Sequence, residues 1–320
     1  MNTSFPEEIT PAIKKTTRMQ NGLEGTDGLK RHLLTACGGP VCVYEAGEPS
    51  RPAVVLLHGA MYDESRFSWD SMFPALSVHY HMFAIDAPRH GKSRPWEGVL
   101  DRARLMEILS DVFRQLAPAR FSIVGLSMGG GLAIEYAASH PEQIPSMALF
   151  EPGGLNDIVE MQQLSWLYIK TPGMLRFLSR LYHGYDDAKL QKLVTSFFTK
   201  GTAPVNATRL AAILKDEING KYSYGERDMD DWQLSAMAPF RLKWELLKEI
   251  EAIQCPTLWL RGAESKLVKQ HEIDRAVRLA QSCGAKAEQM LIQHAGHMLP
   301  LEQPDQASQA VLAFLDRTAK

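Results

Sequence analysis

One serine in this chain stands among four glycines. The stretch VGLSMGGG, residues 124–131, carries a single hydroxyl, Ser127. Glycine weakens a helix or strand interior by about 0.5–1 kcal/mol relative to alanine, so four together need a reason. FSIV precedes the stretch and LAIEYAASH follows it, which reads as strand, turn, helix. In that setting G-x-S-x-G describes a turn too sharp for side chains two residues either side of the serine. Such a turn strains the serine backbone and lifts its hydroxyl above the sheet edge. It also sets the hydroxyl at a helix N-terminus, where free N–H groups and the dipole favour negative charge. The chemistry this fits is nucleophilic attack on a carbonyl.

A serine nucleophile needs a base, and the base needs a group to orient it. The segment HAGHMLPLEQPDQ follows the last apolar strand pattern, AEQMLIQ, and precedes the last helical one. His297 stands in that loop and is the candidate base; His294 is its local competitor. Charge developing on the carbonyl oxygen needs donors. The N–H of Met128, next after the nucleophile, is one candidate. The N–H of Ala60, after His58-Gly59 at the end of AVVLLHG, is the other.

The elements that must hold these groups alternate along the chain. RHLLTA and VCVYEA flank CGGP as a hairpin. AVVLLHG, HMFAIDAP, FSIVG and SMALFEPGG read as buried strands, and residues 105–116 and GLAIEYAASH as helices. This predicts an α/β protein with a mostly parallel sheet covered on both faces. The alternation stops after Gly154. IVEMQQLSWLYIK, GMLRFLSRLYH, DAKLQKLVTSFF and PFRLKWELLKEI are helical patterns separated by the breakers TPG and GTAP. Strand PTLWLRG, helix HEIDRAVRLAQS, strand AEQMLIQ and helix DQASQAVLAFLDR close the chain. The expected organisation is an N-terminal arm over 1–30, a core over 31–154 and 251–320, and a helical block over 155–250.

Composition bounds the partners. The 320 residues are 45% hydrophobic and 22% charged, with a formal net charge of −2. That balance gives no reason to expect nucleic acid. The run AVVLL is far short of the ~20 residues that span a bilayer, so no integral membrane segment is expected. MNTSFPEEITPAIKK shows no secretory leader. Four cysteines without CxxC spacing read as reduced thiols of a cytoplasmic protein, with a Cys37–Cys42 bridge as the other option. His79 and His81 alternate in HYH without a third ligand nearby, so no metal is expected, and no organic cofactor either. GMLRFLSRLYH is basic and amphipathic, and reads as a helix packed on the core or as a surface that docks to lipid.

HGAM, DAPRHGKS, GLSMGGG and GHMLPLEQP, in this order, resemble the α/β-hydrolase superfamily over about residues 30–318. GLSMGGG is similar to the cofactor-free haloperoxidase, perhydrolase and esterase branch, and EPGGL to the meta-cleavage-product C–C hydrolases. The resemblance implies an eight-stranded, mostly parallel sheet, a helical cap inserted after the sixth strand, and a serine–acid–histidine triad. It also implies that Asp86, Arg89, His90 and Ser93 tie down a loop beneath the active-site mouth. The family usually places an aspartate three residues after the glycine that ends the seventh strand. Here that position, three after Gly262, is Ser265. Two carboxylates remain: Glu151, ending the sixth strand as in haloalkane dehalogenases, and Glu264 in the loop after the seventh. Glu151 is favoured and Glu264 is the alternative.

The expected activity is hydrolysis of a small to medium, largely apolar carboxylic ester through an acyl-enzyme on Ser127. C–C bond hydrolysis by the same residues, and a non-catalytic small-molecule receptor on the same fold, are the alternatives. The oligomeric state is open.

Overall fold

The computed structural model describes residues 28–116, 119–155, 158, 161–199 and 206–318. Most of the arm expected over 1–30 lies outside them. Lys30 already belongs to the first strand.

Eight strands form one sheet: β1 Lys30–Ala36, β2 Gly39–Ala46, β3 Ala53–Leu57, β4 His81–Ile85, β5 Ser122–Leu126, β6 Met147–Phe150, β7 Thr257–Gly262 and β8 Ala287–Ile292. Their order is β1-β2-β4-β3-β5-β6-β7-β8. β2 runs antiparallel to both β1 and β4, and all other pairs are parallel. The β1–β2 hairpin pairs Ala36 with Gly39 across the expected glycine turn.

The strands are apolar on both sides because both faces are covered. Val55, Leu57, Ile123, Met147, Leu149 and Trp259 point to one face. There they meet α3 (Arg102–Leu116), α4 (Met128–Ser139), α10 (Leu247–Glu251) and α11 (Gln270–Ser282). Val54, Leu56, Val124, Leu126, Phe150 and Leu260 alternate to the other face. That face is covered by α2 (Phe73–Ser77) and α13 (Pro304–Thr318), with Trp69 at the end of α1 (Ser65–Trp69). α12 (Leu299–Glu302) precedes α13.

From β3 the chain crosses to β4 on one side, while β5 lies on the other. The carboxyl ends of β3 and β5 therefore flank the point where the winding reverses. Open α/β sheets bind ligands at such a point. Ser127 follows β5 and the His58–Ala60 loop follows β3.

Between β6 and β7 the chain inserts α5 (Gln162–Lys170), α6 (Met174–His183), α7 (Asp187–Ser196), α8 (Ala207–Ser223) and α9 (Asp231–Ala236). A third apolar cluster joins Leu190 and Val194 of α7, and Leu210, Leu214 and Ile218 of α8, to Tyr62, Phe67 and Leu301 of the core. Two sequence expectations need correction here. α8 and α9 are helices where the sequence pattern predicts none. PFRLKWELLKEI is helical only over Leu247–Glu251. Trp244 and Leu246 are buried instead in an irregular segment: the Leu246 N–H donates to Gly154 O, and Trp244 packs edge-on against Trp232.

Candidate active site

Ser127 caps α4 with φ 51° and ψ −111°, a conformation that L residues rarely hold. The surroundings impose it. Ser127 N–H donates to Phe150 O, and its own carbonyl accepts from Gly131 and Gly153. A Cβ on Gly125 would lie 2.6 Å from Gly129 O, and one on Gly129 would lie 2.2 Å from Leu57 O. These two glycines are required by the turn, as the sequence implies. Gly130 lets α4 lie close to the sheet, since a Cβ there would stand 3.2 Å from Gly125 O of β5. Gly130 abuts Pro152 and Gly131 abuts Trp244.

The two expected oxyanion donors lie on rigid backbone. Met128 is the first residue of α4, so its N–H has no partner within the helix. The Gly59 N–H is taken by Asp63 Oδ2 at 2.6 Å, while the Ala60 N–H has no protein acceptor among the described residues. His58 braces this loop from beneath. Its Nε2 accepts from Ala87 N–H at 2.9 Å, so the proton sits on Nδ1 and is donated to Gly59 O at 2.7 Å. Burial holds this imidazole well below its usual range, in the neutral form that the two bonds require. Gly129 N–H donates to His58 O and ties the loop to the Ser127 turn.

His297 lies between β8 and α12, and its Nδ1 is 2.7 Å from Glu151 Oε2. A carboxylate only accepts, so Nδ1 carries the hydrogen and Nε2 is left basic. Glu151 is fully buried at the end of β6, at φ 41°. Gly262 N–H donates to its Oε1 at 3.0 Å, and Ser265 Oγ donates to its Oε2 at 2.7 Å. The other candidate, Glu264, meets a different histidine. It is 3.9 Å from Nδ1 of His294, and both side chains are exposed. The structure thus brings Glu151 and not Glu264 to His297. Ser265, seen in the sequence only as the place of a missing aspartate, is the residue that holds Glu151. Nothing local in the sequence signals that contact.

The DAPRHGKS loop is tied down as expected. Asp86 accepts from Ser65 and Lys92 N–H groups, and Ser93 Oγ donates to Asp86 O. The loop also reaches the insert through a buried ion cluster. Arg94 donates to both oxygens of Glu217 on α8, at 2.9 and 2.6 Å, and to Glu226 at 2.8 Å. Lys221 stands 3.8 Å from Glu217 and 3.6 Å from Asp230. His90 faces Asp63 O and Asp230 Oδ2, both at 2.7 Å. Burial alone would raise Asp230, yet Lys221 and His90 hold its carboxyl well below the usual range.

His79 and His81 do not act together: His81 shares Glu45 with His32. No group of three or more His, Cys, Asp or Glu among the described residues could hold a metal ion. The four cysteines are unpaired. No helix of the described residues is long and apolar enough to cross a membrane.

With this geometry in place, the class is defined. Residues 54–310 match the model of the alpha/beta hydrolase family, and the chain belongs to that family. Among its relatives, carboxylesterase YbfK of Bacillus subtilis is 23% identical over 279 residues, covering 87% of this chain and 84% of that protein. The crystal structure of that carboxylesterase superposes with a TM-score of 0.66 at 20% identity, covering 90% of this chain and 91% of the other. The 2-hydroxy-6-oxo-6-(2'-aminophenyl)hexa-2,4-dienoic acid hydrolase of Metapseudomonas resinovorans is 25% identical over 287 residues, covering 86% of this chain and 87% of that protein.

Proposed function

We propose that this alpha/beta hydrolase is a serine esterase that cleaves a small to medium, largely apolar carboxylic ester. The observation that carries this reading is the contact of His297 Nδ1 with buried Glu151, which leaves Nε2 basic; Glu151 itself follows Phe150, whose carbonyl accepts from Ser127 N–H. In the proposed cycle Ser127 Oγ attacks the carbonyl carbon and its proton passes to His297 Nε2. The N–H groups of Met128 and Ala60 hold the oxyanion. The tetrahedral centre collapses, the alkoxide leaves with the proton from His297, and an acyl-enzyme remains. Water, deprotonated by His297, attacks the acyl carbon; the acid departs and Ser127 regains its proton. Glu151 fixes the imidazole tautomer and stabilises the imidazolium. Ser265 is a positioning residue that acts through Glu151. Residues 155–250 form the cap, and its apolar side chains shape the acyl pocket. The protein works in the cytoplasm, without metal or organic cofactor.

The second reading, C–C bond hydrolysis of a vinylogous diketone, is favoured by the dienoic acid hydrolase relative. The test is turnover of p-nitrophenyl esters from acetate to decanoate, beside a 2-hydroxy-6-oxo-dienoate. The expected result is ester turnover with a chain-length optimum, abolished in Ser127→Ala. A higher kcat/KM on the dienoate would replace the first reading with the second. Absence of turnover on both would remove both.

A further inference from the structure

The α5–α6 hairpin lies on the surface with its apolar side chains outward. Among the described side chains, α5 buries only Gln162, and α6 only Leu175 and Ser179. Leu164 and Leu167 are 56% and 57% exposed, and Phe177 and Leu181 are 57% and 47% exposed. Spacings of three and four place each pair on one helix face. The core-packed helix expected over GMLRFLSRLYH is therefore only thinly seated. Arg176 and Arg180, also four apart, flank the Phe177–Leu181 stripe. Both are exposed, and neither side chain makes an ion pair or hydrogen bond among the described residues. An exposed apolar stripe edged by unpaired cations is the pattern of a helix lying in a membrane interface.

Beneath the α5–α6 turn is a cavity of about 630 Å³, within the range of small-molecule sites. Arg89, Lys170, Arg176 and Arg227 line it against a single lining carboxylate, Glu226. Arg89 and Arg227 share Asp231 as their ion-pair partner, which leaves Lys170 and Arg176, both on the hairpin, as the lining cations without an ion pair among the described residues. We propose that this hairpin seats the protein on the surface of an anionic phospholipid bilayer, with Phe177 and Leu181 among the acyl chains and Arg176 and Arg180 against headgroup phosphates. Charge complementarity selects this occupant. A two-fold contact with a second copy through the same stripe would bring the arginines of both copies together. At 9 and 10 residues the two helices can lie on a bilayer but cannot span it.

The test is co-sedimentation of the full chain with vesicles of phosphatidylcholine alone or mixed with phosphatidylglycerol. It does not depend on the esterase reading, because it measures binding and not turnover. Wild type should partition onto the mixed vesicles at least about tenfold more than onto phosphatidylcholine, and salt should reverse it. Arg176→Glu/Arg180→Glu and Phe177→Glu/Leu181→Glu should each abolish partitioning while keeping the wild-type melting temperature. Hydrogen exchange of wild type with the mixed vesicles should gain protection over residues 162–183, a readout that needs no variant. Wild type left in the supernatant, variants that pellet normally, or protection elsewhere would overturn the proposal. So would a dimer in solution that Phe177→Glu dissolves.

Discussion

The turn after β6 and the turn after β7 each offer a glutamate to a histidine on the loop after β8. Glu151 is fully buried, accepts from a backbone N–H, a serine hydroxyl and His297, and stands 2.7 Å from the ring. Glu264 is half exposed, and His294, 3.9 Å away, is almost fully exposed. The residue type is the same, and the histidines are three positions apart. Desolvation separates them. In a dry site each hydrogen bond to the carboxylate fixes its direction, and its charge is felt by the imidazole. In water a pair at that distance contributes next to nothing.

The largest effect that would break this contrast lies upstream of both glutamates. Ser127→Ala should lower ester kcat by roughly 10⁴–10⁶, since the residues of the proposed triad would act as a unit. Activity surviving that change would make the acid irrelevant. Glu151→Gln should cost about three to four orders of magnitude in kcat, while Glu264→Gln stays within about twofold, as exposed substitutions do. The reverse ranking would hand the role to Glu264. Ser265→Ala should lower kcat roughly tenfold, the loss of about 1.4 kcal/mol from one charge-assisted hydrogen bond. KM should hold, the pH profile of kcat should move, and Ser265→Thr should restore both. A loss carried by KM alone would remove Ser265 from the positioning of Glu151.

The smallest effect sharpens the comparison with a third carboxylate. Burial pushes Asp63 up to about 6, against the donors Ser68 and Gly59. An unfolded aspartate titrates near 4, so between about 4 and 6 the folded state binds the extra proton. The stability this group contributes is complete below that window and is lost as pH rises through it. Urea midpoints of wild type, taken relative to Asp63→Asn, should fall from pH 4 to 6 and then level. A rise across the same window would mean that the fold depresses Asp63 instead.

Local pattern made much of this legible. Ser127 and His297 stand where strand and helix periodicity put them, and the strands announce themselves as short apolar runs. The carboxylate that meets His297 is not legible in the same way. Glu151 and Glu264 both end strands in glycine-containing turns, and only the pairing of β6 with β7 buries one of them. α8 was missed for a related reason. Its core-facing stripe of Leu210, Leu214 and Ile218 is interrupted by Glu217 and Lys221, which are as buried as the leucines. Buried charges look like surface in a sequence. PFRLKWELLKEI fails in the opposite sense: helix formers are drawn into irregular backbone that packs Trp244 and Leu246 against Gly131 and Gly154.

The ion cluster that joins Arg94 and His90 to Glu217, Lys221 and Asp230 limits how this chain can be rebuilt. Its members come from the loop after β4, from α8 and from the cap of α9. Deleting one partner of a buried pair typically costs about 3–5 kcal/mol, because the other is left uncompensated. A homologous insert transplanted between β6 and β7 would arrive without matching charges and strand Arg94 in the interior. The helical insert is therefore not an interchangeable cassette. Changes along α5 and α6 leave this cluster untouched, but at α8 and α9 the insert is inherited together with a loop more than a hundred residues away in sequence.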